Sequence, residues 1–269
     1  ITPRLRQLPW RDTRDPWHVL VSEVMLQQTG VNRVLPKWQM FVDAFATPAD
    51  CAGAPLGDVL RLWQGLGYPR RARNLQAAAR VIVEQHDGLT PSTLDELLAL
   101  PGIGPYTARA VLVFAFESDV AVVDTNIARV LARFHSRKLK LREAQQLADD
   151  WIPAGESWLW NQALMDLGAT VCKPQPLCEE CPLVDRCSWR GTGDDPSVGS
   201  AGVSVAQARF EGSDRQARGR LIKQLGECAV PIHAVAEIMD RPLATAERLV
   251  VNLVDEGLVI RQNGELLLP

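Results

Sequence analysis

Four cysteines stand within sixteen consecutive residues, spaced Cys172-x5-Cys178-x2-Cys181-x5-Cys187. Thiolates that close can wrap one metal centre, and the donor set permits zinc or a [4Fe–4S] cube. Zinc sites usually come as paired C-x2-C knuckles, so wide-narrow-wide spacing after a helix favours iron–sulfur. Four free thiols so close together would invite oxidation, and clustering of this kind suggests metal ligation over disulfides. Lys173 and Arg186 would present the loop to a phosphate backbone, a structural and not a redox role. Cys51 and Cys228, the remaining two, are expected as buried apolar residues.

A second constellation spans residues 100–126, which read L-P-G-I-G-P-Y-T-A-R-A, then V-L-V-F-A-F, then A-V-V-D-T-N. Gly102 and Gly104 turn between one helix-like segment and another opening at Tyr106. Such a turn leaves backbone N–H groups bare at a helix N-terminus, a seat for a phosphate. Asp124 then stands alone among Val122, Val123 and Asn126, either as a helix cap or as a reagent. Glu23 lies inside an otherwise apolar helix with Val19, Leu20, Val24 and Leu26. It is either on the water side of that stripe or buried with a raised pKa.

The elements that must position these residues are helical. Residues 18–28 form a helix closed by Gln27-Gln28-Thr29, and amphipathic helices follow at 32–45 and 56–63 with a break at Thr47-Pro48. A Gly65-Leu66-Gly67-Tyr68 turn opens a long basic helix reaching about Gln85; its apolar and aromatic tips could wedge between bases or simply pack. Helices are predicted again over 127–134, 141–151 and 158–168. With no strand-period segment before residue 257, residues 1–190 are all-helical. Residues 191–202 have the composition of a flexible linker. Beyond them, helix patterns at 214–226, 231–239 and 244–256 and a hairpin around Asn263-Gly264 make residues 203–269 look like a winged-helix module, suited equally to a protein or a DNA partner.

At 269 residues and 46% hydrophobic content the chain is globular. No apolar run is long enough to cross a bilayer and the N-terminus lacks a signal-peptide core, so no membrane partner and a cytoplasmic address are expected. A net charge of −3 argues weakly against a nucleic-acid partner, but distribution overrides the sum. Residues 61–80 hold five arginines and no acid, and residues 126–142 hold six basic residues and no acid. Two such stripes flanking the Gly-x-Gly turn suggest a phosphate-binding surface.

Taken together, S-E-V-M-L-Q-Q-T, G-L-G-Y, L-P-G-I-G-P-Y-T, V-D-T-N-I-x-R-V, N-Q-A-L-M-D-L-G and the four-cysteine loop resemble the helix-hairpin-helix (HhH-GPD) DNA glycosylases, and within them the MutY adenine glycosylases. The resemblance covers about residues 5–190. It implies a mainly α, two-lobed helix-hairpin-helix fold over residues 1–190, a [4Fe–4S] cluster on Cys172, Cys178, Cys181 and Cys187, and excision of adenine mispaired with 8-oxoguanine or guanine in double-stranded DNA. By the same resemblance, Glu23 protonates the adenine ring, Asp124 stays ionised beside the cationic sugar, and Asn126 and Tyr106 hold Asp124 and line its pocket. Gln28, Thr29, Leu66 and Tyr68 match the wedge that meets the opposite base, Gly102 and Gly104 the backbone grip, and Arg6 and Arg11 neighbours of the flipped base. Tyr106 stands where the endonuclease III branch has a Schiff-base lysine, which implies a monofunctional enzyme. A monomeric, nucleoid-associated bacterial protein is implied.

Two departures stand out: the first cysteine gap is one residue shorter than the family's six, and a short winged-helix-like tail, as in actinobacterial relatives, replaces the Nudix-like domain. The alternatives are a thymine or uracil mismatch glycosylase of the same fold, or a catalytically silent iron–sulfur DNA-binding regulator.

Overall fold

The computed structural model describes residues 5–203 and 209–269. In chain order its helices are α1 (Pro16–Leu26), α2 (Val31–Ala44), α3 (Pro48–Gly53), α4 (Leu56–Trp63), α5 (Arg70–Gln85), α6 (Leu94–Ala99), α7 (Pro105–Phe116), α8 (Thr125–Phe134), α9 (Leu141–Asp150), α10 (Ser157–Thr170), α11 (Asp214–Glu227), α12 (Val235–Met239) and α13 (Leu243–Asp255). Three short strands, β1 (Val230–Pro231), β2 (Ile260–Gln262) and β3 (Glu265–Leu267), form an antiparallel sheet in the order β1-β3-β2. The chain sorts into two compact units. One is Ile1–Val19, Ser92–Leu94 and Gly104–Ala206; the other is Leu20–Pro91, Asp95–Ile103 and Gln207–Pro269.

In the first unit α7 is apolar on every side, so it is an interior helix: Ala108, Val111, Val113 and Phe114 are all buried. Helix α8 buries Ile127, Val130 and Leu131 on one side and packs against α10. The seam is tight, because a Cβ at Gly168 would lie 2.6 Å from the Asn126 Cβ and 2.9 Å from its carbonyl oxygen. Residues 191–202, whose composition predicts a flexible linker, are tied into this unit. Asp195 pairs with Arg133 at 2.6 Å, the Ser200 hydroxyl accepts from the Leu139 N–H, and Ala201 N–H donates to the Leu139 carbonyl. Glycine and serine content reports intrinsic freedom, which specific long-range partners override.

The second unit has an aromatic centre in which Phe41 meets Phe45 and Trp63 edge-on, at 5.1 and 6.0 Å; each such fully buried side chain contributes about 1.5–3 kcal/mol. The Thr47-Pro48 break is itself the start of α3: the Thr47 hydroxyl accepts from Asp50 N–H, and the Asp50 carboxylate accepts from Thr47 N–H. Helices α11, α12 and α13 enclose Leu221, Leu225, Met239, Leu249 and Leu253, giving the expected winged-helix order of helices and hairpin. The segment predicted as helix over 231–239 divides, because Val230 pairs with Leu266 across the sheet and only Val235–Met239 is α-helical. This module packs closely within the unit, with Gly57 N–H donating to the Pro269 carbonyl at 2.7 Å and the Arg61 Nε donating to the Gly226 carbonyl at 3.1 Å. Residues 204–208, inside the span expected for the module, lie outside the described residues. Cys51 is buried as expected, whereas Cys228 is exposed at the end of α11.

Candidate active site

Asp124 is the N-cap of α8, and both of its oxygens are engaged. Oδ1 accepts from Asn126 N–H (2.9 Å) and Ile127 N–H (2.7 Å), and Oδ2 accepts from the Asn126 amide Nδ2 (2.8 Å). Burial pushes this carboxyl above the ordinary aspartate range, and those three donors with the nearby Arg129 guanidinium pull the other way. Asn126 is fixed in turn by Arg129, whose Nη2 donates to its Oδ1 at 2.8 Å and to the Gly168 carbonyl at 2.7 Å. The extended residues before Asp124 are held by Asn161, which accepts from Val122 N–H and donates to the Val120 and Ser157 carbonyls. Asn161 and Gly168 open and close the N-Q-A-L-M-D-L-G stretch, which thus braces the Asp124 segment.

The Gly-x-Gly turn separates its two glycines by role. Gly102 has φ +77° and an added Cβ would lie 2.8 Å from the Asn74 Cβ, so conformation and close approach both demand glycine. Gly104 has open space around it and is the N-cap of α7 without a side-chain cap. Tyr106 lies in the first turn of α7, directly after this uncapped glycine start. Tyr106 is partly exposed.

Glu23 settles on the buried side of its two readings. It is 4% exposed on α1, a helix whose Val19, Leu20, Val21, Val24 and Met25 are all buried.

Gln28, Thr29, Leu66 and Tyr68 gather around one side chain that charge patterning assigned to a phosphate-facing stripe. The Arg71 guanidinium donates to the carbonyls of Val24, Met25, Gln27, Leu66 and Gly67 and to the Thr29 hydroxyl. It welds the end of α1 to the Gly65–Gly67 turn, and burial lowers its pKa to about 10. Gln28 (φ +55°) and Tyr68 (φ +49°) both take left-handed backbone, a strain that surrounding structure must hold. Gln28 is exposed and Tyr68 partly so, but Leu66 is 3% exposed and packs in the interior.

Arg6 and Arg11 converge on Asp166. Arg11 Nη1 and Nη2 reach its two oxygens at 2.8 and 2.9 Å, and Arg6 adds its Nε at 2.6 Å and its backbone N–H at 2.7 Å. Burial alone would raise the Asp166 carboxyl, but the two arginines more than offset it and hold it below its usual range. Sequence reading missed Asp166, although an acid inside an otherwise apolar helix was the available signal.

Only part of the basic stripes looks inward, since Arg61, Arg70, Arg80 and Arg137 are exposed. Arg61, Arg70, Arg73 and Arg80 each bond within the second unit. Arg129 and Arg133 are buried, while Lys138, Lys140 and Arg142 stay exposed. Arg133, 1% exposed, donates to the carbonyls of Cys172, Lys173 and Pro174, to the Cys172 sulfur at 3.5 Å, and to both oxygens of Asp195, and its guanidinium lies 4.7 Å from the Trp189 ring.

Cys172, Cys178, Cys181 and Cys187 all line one recess of about 310 Å³, open mouth included, together with Arg133, Leu177 and Trp189. Among the described residues no three His, Cys, Asp or Glu side chains converge tightly enough to grip a single ion. The loop is cut close on one side by Gly191 (φ +79°), where a Cβ would lie 3.0 Å from the Cys178 sulfur. No helix among the described residues is long and apolar enough to cross a membrane.

The family described as HhH-GPD superfamily base excision DNA repair protein matches residues 21–154. An adenine DNA glycosylase of Mycobacterium tuberculosis is 42% identical over 279 aligned residues, spanning 98% of this chain and 89% of that protein. A solved thermostable thymine-DNA glycosylase superposes with a TM-score of 0.64 at 30% identity, covering 69% of this chain and 89% of its own. A non-covalent endonuclease III–DNA complex gives 0.63 at 26% identity, covering 70% and 89%.

Proposed function

Because this chain belongs to the HhH-GPD superfamily of base excision DNA repair proteins, we propose that it is a monofunctional adenine DNA glycosylase acting on adenine opposite 8-oxoguanine or guanine. The observation that carries the reading is Glu23, an acid 4% exposed on a helix whose Val19, Leu20, Val21, Val24 and Met25 are buried too. A carboxyl in such a place is suited to carry a proton near neutral pH. It delivers that proton to the adenine ring of a flipped nucleotide, so the base departs neutral with the electrons of the glycosidic bond. Asp124 faces the positive charge that develops on the sugar, and its N-cap bonds and Asn126 aim it. Water then adds to the sugar and leaves an abasic site. Tyr106 offers a phenol and no amine, so no Schiff base forms and the strand stays intact.

Cys172, Cys178, Cys181 and Cys187 would hold a [4Fe–4S] cluster, which supplies a rigid, charged cross-link for its loop and takes no part in base release. The donor set and the convergence of all four cysteines on one recess support this, and Arg133 braces the loop from α8. The working form is a monomer on mismatched or oxidised duplex DNA in the bacterial nucleoid.

The test is single-turnover excision across duplexes bearing adenine opposite 8-oxoguanine, guanine or cytosine, and thymine or uracil opposite guanine. Glu23→Gln and Asp124→Asn are expected to abolish adenine release while duplex binding survives. Wild-type rates from Glu23→Gln would sink the assignment. The similarity to a thymine-DNA glycosylase at 30% identity favours a second reading, and thymine release with adenine left in place would decide for it. Absence of strand breaks before alkali checks the role given to Tyr106; brown colour with bound iron checks the cluster.

A further inference from the structure

Tyr68 is gripped from the C-terminal module. Arg215, in the first turn of α11, donates a hydrogen bond from Nη1 to the Tyr68 phenol oxygen, and its guanidinium carbon lies 5.3 Å from the Tyr68 ring centre. The other side of the same guanidinium faces Phe210 at 5.1 Å. Arg71 sits 5.5 Å from the Tyr68 ring and 5.4 Å from Trp63. Trp63, Arg71, Tyr68, Arg215 and Phe210 therefore alternate ring and cation in one ladder, and its last rung is an aromatic side chain 51% exposed. Stacks of this kind are worth more when water is excluded, and Arg215 is itself partly buried. The module that supplies the last two rungs is firmly anchored: Glu256, at the end of α13, pairs with Arg70 and Arg218 and takes Arg73 on its carbonyl oxygen.

We infer that Arg215 is a positioning residue for Tyr68, so that the winged-helix-like module sets how the ring meets the duplex opposite the excised base. This rests on the reading of Tyr68 as a residue that enters the duplex. An Arg215 N–H occupies a lone pair of the phenol oxygen and ties the ring to α11. The same bond fixes the ring of a residue whose left-handed backbone needs outside support. Phe210 extends the edge with a flat surface on which an unstacked base can rest.

The experiment uses the full chain with Arg215→Ala, Tyr68→Phe and the two combined, on duplexes carrying adenine opposite 8-oxoguanine or guanine, with 2-aminopurine beside the opposite base to report unstacking. Tyr68→Phe keeps the ring and removes the hydroxyl that accepts from Arg215, so it tests the contact even if Arg215→Ala loosens the module. Each single change is expected to lower affinity for the 8-oxoguanine duplex and the unstacking signal roughly tenfold, the effect of one lost charge-assisted hydrogen bond. The double change is expected to be no worse than the worse single one. Wild-type unstacking in either single variant, or losses that add in the double, would overturn the inference. Adenine release is read in parallel. Unstacking that depends on Arg215 without base release sinks only the glycosylase reading; adenine release with unstacking indifferent to Arg215 sinks only this one.

Discussion

The sharpest test of the Asp124 cradle is a methyl group. Replacing Gly168 by alanine places a carbon 2.6 Å from the Asn126 Cβ and 2.9 Å from its carbonyl oxygen. Carbon atoms rest at about 3.5–4.0 Å, so the two helices must part by roughly 1 Å. Neither neighbour can swing aside, since one is backbone and the other is the first atom of a side chain already bonded to Asp124 and Arg129. In an ordinary helix interior, glycine to alanine gains about 1 kcal/mol. Overpacking here costs about 1–3 kcal/mol, and disturbing the Asp124 cap adds about 1 kcal/mol. The balance is a net loss of about 1–3 kcal/mol, a fall in melting temperature of about 3–9 °C. Excision should suffer more than stability, because a displacement of about 1 Å at a positioning residue can cost about a hundredfold in rate. Thermal melting and single-turnover adenine release measure the two. A Gly168→Ala protein as stable as wild type that excises within about twofold of its rate would refute the argument that α10 sets the position of Asn126.

Two other arginine-centred sites make separate predictions. Arg71→Met removes every donor shared by the end of α1 and the glycine turn; a loss of about 3 kcal/mol in denaturant unfolding is expected, with duplex unstacking abolished before base release is. Asp195 would be raised by its burial, but Arg133 and Ser197 outweigh that and hold its carboxyl at about 2. A folded pKa below the unfolded one gives stability that is full above about pH 4 and lost as pH falls towards 2. The linkage is about 2 kcal/mol. Acid unfolding curves should show that step in the wild-type protein and lack it in Asp195→Asn.

The helices and the winged-helix order were legible because apolar periodicity is a local signal. So was the pairing of Asp124 with Asn126, which sit two residues apart and form a cap whose chemistry is written in the D-T-N triplet. What could not be read was anything decided by a distant partner. The 191–202 segment has the composition of a free tether, and its order comes from Arg133 and Leu139 some sixty residues away. Arg6 and Arg11 are engaged by Asp166, across 160 and 155 residues. Leu66 was read as a tip that could enter DNA, and the turn instead buries it beneath Tyr68 and Arg71's network.

Arg71, Arg129 and Arg133 show what charge patterning alone leaves undecided. A base every fourth residue, as at Arg129 and Arg133, suits a solvated helix face and an inward one equally well. What separates the two is the supply of carbonyl oxygens left without partners by neighbouring loops. The end of α1, the Gly65–Gly67 turn and the cysteine loop all carry such carbonyls, and one guanidinium with five N–H donors can satisfy several at once. Arg71 does this for the first two, and Arg129 and Arg133 for the third. Arg61, Arg70, Arg80, Arg137, Lys138, Lys140 and Arg142 stay exposed in the same two stripes. Within the stripes, Arg71, Arg129 and Arg133 therefore act as an internal scaffold for the loops they bond, which is why their removal should be read first in unfolding and only afterwards in affinity.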